Sequence, residues 1–220
     1  MDINDLFVRF NCRYSLWLIE SGHPSGRTHS IMFFGLVFRF RAILDRFDQQ
    51  DGLRKLINVM STMSILHNLN EEDFPEDPNE AMMWQTVKHV CLAVKSYFEA
   101  HLAIRAHATS YQRSLSSNHS ATPCYKPLNL SWEIVLRNVE TLLDSLPLRA
   151  RWEPVEYFLK LKGVTIFLQI IAVVLNDLYS AHRSETAVSA LETLYICSVM
   201  PQVQVSGLNC LIYYSNLIWV

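Results

Sequence analysis

Charged side chains are scarce in this sequence, and so is glycine. Lys, Arg, Asp and Glu make up 18% of the 220 residues, apolar residues make up 50%, and Gly occurs 6 times. Globular domains average about 25% charged residues. The low charge indicates either a membrane protein or part of a larger assembly whose surfaces are covered by neighbours. The formal net charge of −2 provides no general attraction to nucleic acid or to anionic lipid.

Long apolar runs are also missing. The longest, 31–38 and 170–175, fall short of the roughly 18–20 residues that a bilayer crossing needs. We therefore favour the second interpretation, that the chain is part of a larger assembly. We predict that it binds neither a membrane nor nucleic acid directly. The N-terminus carries Asp2, Asn4 and Asp5 before any basic residue, so it lacks the positively charged opening of a secretory signal.

The cysteines are scattered and form no C-x-x-C pair. This pattern favours reduced thiols in the core of a cytosolic or nuclear protein over a disulfide framework or a zinc site. We accordingly predict no metal and no cofactor. The cysteines are Cys12, Cys91, Cys124, Cys197 and Cys210.

Catalytic signatures are absent as well. The sequence has no G-x-G-x-x-G, no G-x-x-x-x-G-K, no H-E-x-x-H, no G-x-S-x-G and no His-Arg-Asp loop of a protein kinase. The nearest cluster of usable side chains is Glu99, His101 and Arg105 on a predicted long helix, where His101 and Arg105 share a face. Ordinary surface polarity explains this cluster better than catalysis. We therefore predict no catalytic, cofactor-binding or metal-binding residues.

What the chain has in quantity is apolar residues at helical spacing. No strand is convincing before residue 202. On the first predicted helix, Leu6, Phe10, Tyr14 and Trp17 form the apolar stripe of an amphipathic helix. The predicted helices cover 3–19, 31–47, 53–66, 81–108, 131–146, 164–178 and 185–200, with Pro154 in the first turn of a helix before 164 and Pro201 ending the last one.

Two stretches allow a ligand-binding interpretation that we consider the weaker one. Residues 21–26 combine two glycines, a proline and two serines, which predicts an ordinary turn; the alternative is an anion nest capped by Arg27 and His29. Residues 31–47 interleave phenylalanines with arginines, a pattern that can bind single-stranded nucleic acid. Because the spacing is helical, a core helix whose arginines reach out to water is the better interpretation.

Two segments interrupt the helical pattern. The acidic segment that includes Glu71 and Glu80 contains Pro75 and Pro78, which predicts a solvated loop over about 68–79. Residues 114–129 carry four serines and two prolines, which predicts an inserted loop or linker. We expect one helical domain over 1–205 that contains both loops, followed by an apolar tail over 206–220.

A glycine hinge recurs along the chain. Lys162-Gly163 separates two helical patterns, and the second is too apolar to face water on any side. A similar glycine followed by apolar residues at helical spacing occurs at Gly52 and Gly207. Gly163 and Gly207 are 44 residues apart, within the roughly 40–47 residue period of HEAT and armadillo arrays. The pattern favours an all-α helical-repeat solenoid over chance recurrence in a helical protein.

Three long strings in the sequence resemble one family. They are 47–58 (FDQQDGLRKLIN), 95–104 (KSYFEAHLAI) and 152–161 (WEPVEYFLKL). With the shorter strings 12–18 and 26–29, they are similar to the N-terminal armadillo-like region of the Vpr-binding protein family, also called the cullin-4-associated factor 1 family. The similarity runs from about Asn11 to Val205, and the tail over 206–220 diverges from it.

The resemblance implies an armadillo-like protein-binding surface in a non-catalytic substrate-receptor subunit of a cullin-4 ubiquitin ligase. Such a subunit acts in protein ubiquitination and proteasomal degradation, in nucleus and cytoplasm. The implied partners are substrate proteins and the ligase adaptor, which the family grips mainly through a C-terminal propeller that this sequence does not contain. Two alternatives remain. One is the atypical protein kinase activity toward histone credited to the family, for which the missing motifs leave no residue to assign; the other is a helical scaffold without ligase contact.

Overall fold

The computed structural model describes residues 3–66, 80–113, 126–145, 151–176 and 183–205. These ranges are helical and contain no strand, as the sequence predicted. A short 3-10 helix, Ser64–Leu66, follows the fourth α-helix, and residues 201–205 are again helical. The α-helices in these ranges are α1 (Ile3–Ser21), α2 (Pro24–Val37), α3 (Arg41–Gln49), α4 (Gly52–Ser61), α5 (Glu80–Arg113), α6 (Trp132–Ser145), α7 (Glu153–Lys160), α8 (Gly163–Asn176) and α9 (Ser184–Cys197).

The helices stack in two rows. One row consists of α2, α5 and α9, with α5 in the middle, and the other consists of α1, α4 and α8. The first row is parallel, since Thr28 on α2 meets Thr86 on α5 at 3.1 Å between hydroxyl oxygens and, seven residues farther along both helices, Gly35 lies against Ala93. On the other side of α5, the Nζ atoms of Lys88 and Lys95 each lie 2.6 Å from a carboxylate oxygen of α9, on Glu185 and Glu192 respectively. This arrangement is the predicted all-α solenoid.

The repeating unit is a short helix, a longer helix and a helix of the first row. It occurs as α3–α4–α5 and again as α7–α8–α9. Helix α5 is 34 residues long. Judged from the contacts of Thr28 with Thr86 and of Glu192 with Lys95, it continues about five turns past the end of α2 and about three and a half turns past the end of α9. Helix α6 is an addition to the unit and packs against α5. The projecting end of α5 is therefore available to both α6 and α7.

Aromatic rings form a continuous core between the units. Phe47 contacts Phe34 and Phe38 with ring centroids 4.9 and 4.7 Å apart. Farther along, Phe98 contacts Phe158 at 5.1 Å, and Phe158 contacts Phe167 at 5.3 Å. The angles between most of these ring planes are large, the edge-to-face geometry that aromatic quadrupoles favour. One connected apolar core therefore runs through both repeats.

Three of the cysteines are buried free thiols, namely Cys12, Cys91 and Cys197. Burial raises the pKa of the Cys12 thiol to about 11, so this group stays protonated at neutral pH. The prediction that these three lie in the core is confirmed. Cys124 and Cys210 lie outside the described residues, as do the hinge glycine at Gly207, the acidic segment 67–79 and most of the predicted loop 114–129.

Several predicted boundaries were wrong. The stretch 31–47 is not one helix, because the chain turns at 38–40 and thereby directs Phe34, Phe38 and Phe47 into the same core. Pro24 begins α2, so the predicted turn is shorter than 21–26. Pro201 does not end the helical region, because residues 201–205 are helical; proline is acceptable in a first helical turn, where its missing N–H would be unpaired anyway.

Helix α1 packs through a different face from the stripe that the sequence singles out. Val8, Cys12, Leu16 and Ile19 are buried, whereas Leu6, Phe10, Tyr14 and Trp17 are between 51% and 67% exposed. Both faces of α1 are apolar, and the slimmer aliphatic row lies against α2, α3 and α4. Periodicity alone could not decide between the two rows.

No single helix within the described ranges is long and apolar enough to cross a membrane. Helices α7 and α8 reach that threshold only when they are counted together, and the chain bends by 67° between them.

Candidate functional site

A groove of about 680 Å³ lies between the α3–α4 turn, the projecting end of α5 and α7. It is where the two repeats meet. Three aromatic side chains form part of its walls. Tyr97 is on α5, Tyr157 is on α7, and Trp152 is the residue before α7. Its lining also carries both signs of charge, from Asp48, Asp51, Glu153, Glu156, Arg105 and Lys160.

The α3–α4 turn owes its shape to close packing between Phe47 and Gly52. Asp51 adopts the left-handed conformation, with φ 57° and ψ 40°, and Gly52 begins α4. A Cβ atom on Gly52 would lie 2.3 Å from the Phe47 ring. Glycine is therefore required for the approach of the ring and not for an unusual φ, because the positive φ belongs to the residue before it.

The α7–α8 turn repeats this geometry. Lys162 has φ 58°, Gly163 begins α8, and a Cβ atom on Gly163 would lie 2.0 Å from the Phe158 ring. In both turns the phenylalanine comes five residues before the glycine. The glycine hinge predicted at Gly52 and Gly163 is thus a true structural repeat, in which the left-handed conformation belongs to the residue before each glycine.

Asp51 connects the two repeats. Its carboxylate accepts a hydrogen bond from the Tyr157 hydroxyl on α7 and lies 2.6 Å from Nε of Arg54 on α4. The hydrogen bond to Asp51, with a smaller contribution from burial, raises the pKa of Tyr157. The hydroxyl therefore remains a donor at neutral pH, and it joins α7 to the α3–α4 turn at the mouth of the groove.

Asp48 makes a second link, to α5. Its carboxylate accepts a hydrogen bond of 2.8 Å from the Tyr97 hydroxyl, and its other oxygen lies 3.1 Å from Nε2 of His101. Burial, assisted by the nearby Asp48, raises the pKa of Tyr97. The hydrogen bond holds Tyr97 in a fixed position along one wall, so this part of the groove is shaped before any ligand enters it. Nε2 of His101 is close to Asp48 but makes no hydrogen bond to the described residues.

Arg105 lines the groove beside Trp152. Its guanidinium carbon lies 5.9 Å from the centroid of the Trp152 ring, within the range of a cation–π contact. Burial lowers the pKa of Arg105, but an arginine stays charged in proteins. The groove thus presents a fixed cation and an aromatic surface beside the carboxylates at its mouth.

The predicted cluster of Glu99, His101 and Arg105 does not come together. His101 and Arg105 share a face and both line the groove, as expected for a spacing of four. Glu99 lies on another side of α5, with its carboxylate 3.7 Å from Lys95. Burial raises the pKa of Glu99 to about 7, against the lowering effect of Lys95 and with a further raising effect of Glu192.

The arrangement is suited to binding. The described lining contains no Ser, Thr or Cys that could act as a nucleophile beside His101. Within the described ranges, no three His, Cys, Asp or Glu side chains are placed to hold a metal ion. That the chain has no catalytic or cofactor-binding residue remains a prediction.

Sequence reasoning did not pick out the groove residues individually, but a signal for them was present. The three strings that resemble a known family, 47–58, 95–104 and 152–161, lie far apart in the chain. In the fold, each of them supplies one wall of the groove, through Asp48–Leu53, Tyr97–Ile104 and Trp152–Lys160. The three strings could therefore have been interpreted as parts of one site, and not only as evidence of a common family.

Comparison with known proteins identifies the family of the chain. The model of the DCAF1 helical domain family matches residues 87–216. The chain belongs to this family. It is the family that the three strings resemble, so that prediction is confirmed.

The relatives are much longer proteins. Protein mahjong of Drosophila melanogaster is 40% identical over 204 residues, which cover 88% of this chain and 13% of mahjong. The DDB1- and CUL4-associated factor homolog 1 of Caenorhabditis elegans is 28% identical over 218 residues, 92% of this chain and 12% of that protein. The Arabidopsis thaliana protein of the same name is 28% identical over 172 residues, 72% and 9% respectively. The chain thus spans only a small part of these relatives.

Proposed function

We propose that this chain is a protein-interaction region of a substrate-receptor subunit of a cullin-4 ubiquitin ligase, and that it binds partner proteins without catalysing a reaction. The observation that carries the proposal is that the three family-like strings converge on a single groove. Two relatives bear the name DDB1- and CUL4-associated factor homolog 1, which supports the connection with the ligase.

The groove has the properties of a protein-binding site. Aromatic walls with charged groups at the rim are the composition that protein interfaces favour. The two repeats hold these walls through the Asp48 and Asp51 contacts, so little conformational entropy would be lost on binding.

In this proposal the chain is the arm that holds a substrate, and contact with the ligase adaptor lies mainly elsewhere in the receptor. Substrates held by the arm would be ubiquitinated and passed to the proteasome. The receptor would act in nucleus and cytoplasm, which imaging of the tagged protein can check.

Competition tests the proposal directly. A ligase assembled from the full-length receptor, its adaptor and cullin-4 ubiquitinates a substrate in the presence of excess purified chain. We expect the intact chain to reduce ubiquitination, because it occupies the substrate without bringing it to the ligase. The variant Glu153→Arg/Lys160→Glu, which reverses two charges of the groove lining, should compete at least tenfold less well.

A matched variant controls for general effects of charge reversal. Glu133→Arg/Arg137→Glu alters an acid and a base at exposed positions of α6 and should compete like the intact chain. Absence of competition by the intact chain would contradict the proposed function. Equal competition by both variants would show that the groove is not the substrate site.

A further inference from the structure

The outer face of α1 is an apolar surface with no covering element among the described residues. Its side chains are Leu6, Phe7, Phe10, Tyr14 and Trp17, each between 51% and 69% exposed. A contiguous exposed patch of this kind usually marks an interaction site. The opposite side of the same helix is fixed in the core, where Cys12, Leu16 and Ile19 are buried. The face is therefore carried on a rigid support.

The spacing of this face specifies the shape of what it can bind. Phe7, Phe10, Tyr14 and Trp17 follow one another at intervals of three, four and three residues, the spacing of the a and d positions in a coiled-coil seam. The rings are already ordered along the helix, with centroids 6.2 Å apart for Phe10–Tyr14 and 6.0 Å for Tyr14–Trp17. A straight seam about three turns long matches the apolar face of one α-helix laid along it.

Charge beside the seam indicates the sign of the partner. With Phe7 and Phe10 as a and d positions, the exposed Arg13 and Glu20 lie at g positions, from which side chains reach a partner helix. Glu20 already pairs with Lys55 on α4, at 2.5 Å, so Arg13 is the charge that the seam offers to a partner. A second copy of this chain that overlaps the whole seam does not complement it. An antiparallel pair centred between Phe10 and Tyr14 would place Arg13 beside Arg13, and a parallel pair would place it beside Leu18.

We propose that the outer face of α1 binds one amphipathic helix of another protein, which has aliphatic residues along its seam and an acidic side chain opposite Arg13. The surface is separate from the groove and does not depend on the function proposed for it. Its aromatic side chains would become the knobs between which the partner's aliphatic residues pack. The acidic group then selects the partner and its orientation, as flanking charges do in coiled coils.

Designed peptides test both halves of this inference. The probe is a labelled three-heptad peptide with Ile at a, Leu at d and Glu at e and g, titrated with the full chain by fluorescence anisotropy. The matched probe has Lys in place of every Glu. We expect the Glu peptide to bind at least tenfold more tightly than the Lys peptide, and Arg13→Glu to reverse that order.

The apolar half is tested by Phe10→Ser and Trp17→Ser, which alter exposed side chains and should leave the fold intact. Each should weaken binding of the Glu peptide at least tenfold. The control Leu36→Ser, on an exposed apolar residue of α2, should leave it unchanged, and so should the groove variant Glu153→Arg/Lys160→Glu. Loss through the groove variant alone would assign the peptide to the groove and overturn the proposal.

Three other results would also overturn it. Equal binding of the Glu and Lys peptides would remove the role of Arg13. Dimerisation in analytical ultracentrifugation that Phe10→Ser abolishes would make a second copy the occupant. Sedimentation with phosphatidylcholine–phosphatidylserine vesicles that requires Trp17 would make it a membrane-binding face.

Discussion

The α3–α4 and α7–α8 turns have the same backbone but different side chains in the left-handed position. Asp51 occupies it in the first turn and Lys162 in the second, with φ of 57° and 58°. Asp51 is half-buried and bonded to Tyr157 and Arg54, whereas Lys162 is exposed. Packing of phenylalanine on glycine therefore maintains the turn in both places. The side chain of the residue before the glycine is not needed for the turn and can make contacts with neighbouring helices, as Asp51 does.

Left-handed backbone costs a non-glycine residue about 1–2 kcal/mol. The cost at Lys162 is offset by burial of the Phe158 ring over Gly163. At Asp51 the side chain also contributes, because its carboxylate ties the first repeat to the second. Four sets of variants test whether these contacts maintain the two turns, and urea denaturation of the full chain measures each of them.

The largest effect is expected from removal of the rings. Phe158→Ala and Phe47→Ala should each lower the free energy of unfolding by about 3–5 kcal/mol, since both rings are fully buried. Phe47 should be the costlier, because its ring contacts three others, Phe34, Phe38 and Tyr97. A loss below about 1 kcal/mol at either position would mean that the ring does not maintain the turn.

The next effect comes from the glycines. Gly163→Ala and Gly52→Ala each place a methyl group inside the facing ring, so we expect a loss of about 1–3 kcal/mol from overpacking. In the background of Phe158→Ala, Gly163→Ala should cost little, since the ring is gone. Full additivity of the two changes would contradict a direct contact between them.

Gly26 provides the control for helix propensity. Its nearest neighbour to an added Cβ is a side-chain carbon of Leu18 at 3.7 Å, an ordinary contact. Gly26→Ala within α2 should therefore be neutral or stabilising by up to about 1 kcal/mol. A loss as large as that of Gly163→Ala would show that any alanine in place of glycine is harmful here.

The two turns also show how far sequence reasoning reaches. The helical class, the repeat, and Gly52 and Gly163 as turn positions were predictable, because period and composition act locally along the chain. The family was predictable from the three strings that resemble it. The left-handed conformations of Asp51 and Lys162 were not predictable. The glycine after each of them is required by contact with a phenylalanine ring five residues before it, and not by its own backbone conformation. The groove was not predicted either, since Asp51 and Tyr157 meet across 106 residues. The outward face of α1 was missed because both of its faces are apolar, and only tertiary packing chooses one.

A smaller effect is expected at the left-handed position itself. Lys162→Gly should stabilise the chain by about 0.5–1 kcal/mol, because glycine adopts this conformation without the steric cost, less its greater entropy when unfolded. Asp51→Gly should gain less or lose stability, since it removes the contacts with Tyr157 and Arg54. Equal gains in both turns would show that the Asp51 contacts contribute nothing.

An effect of similar size isolates the hydrogen bond between Tyr157 and Asp51. Tyr157→Phe keeps the ring and removes the hydroxyl that donates to Asp51, so we expect a loss of about 0.5–1 kcal/mol, the net value of one hydrogen bond near the surface. The change should be non-additive with Asp51→Ala, because both remove the same bond. Tyr14→Phe, on the outer face of α1 where the ring is 51% exposed, is the matched control and should have no effect. If Tyr157→Phe is equally silent, this hydrogen bond adds nothing to the apolar core and the ion pairs between α5 and α9 that join the repeats, and Asp51 and Tyr157 are present for the groove and its ligand.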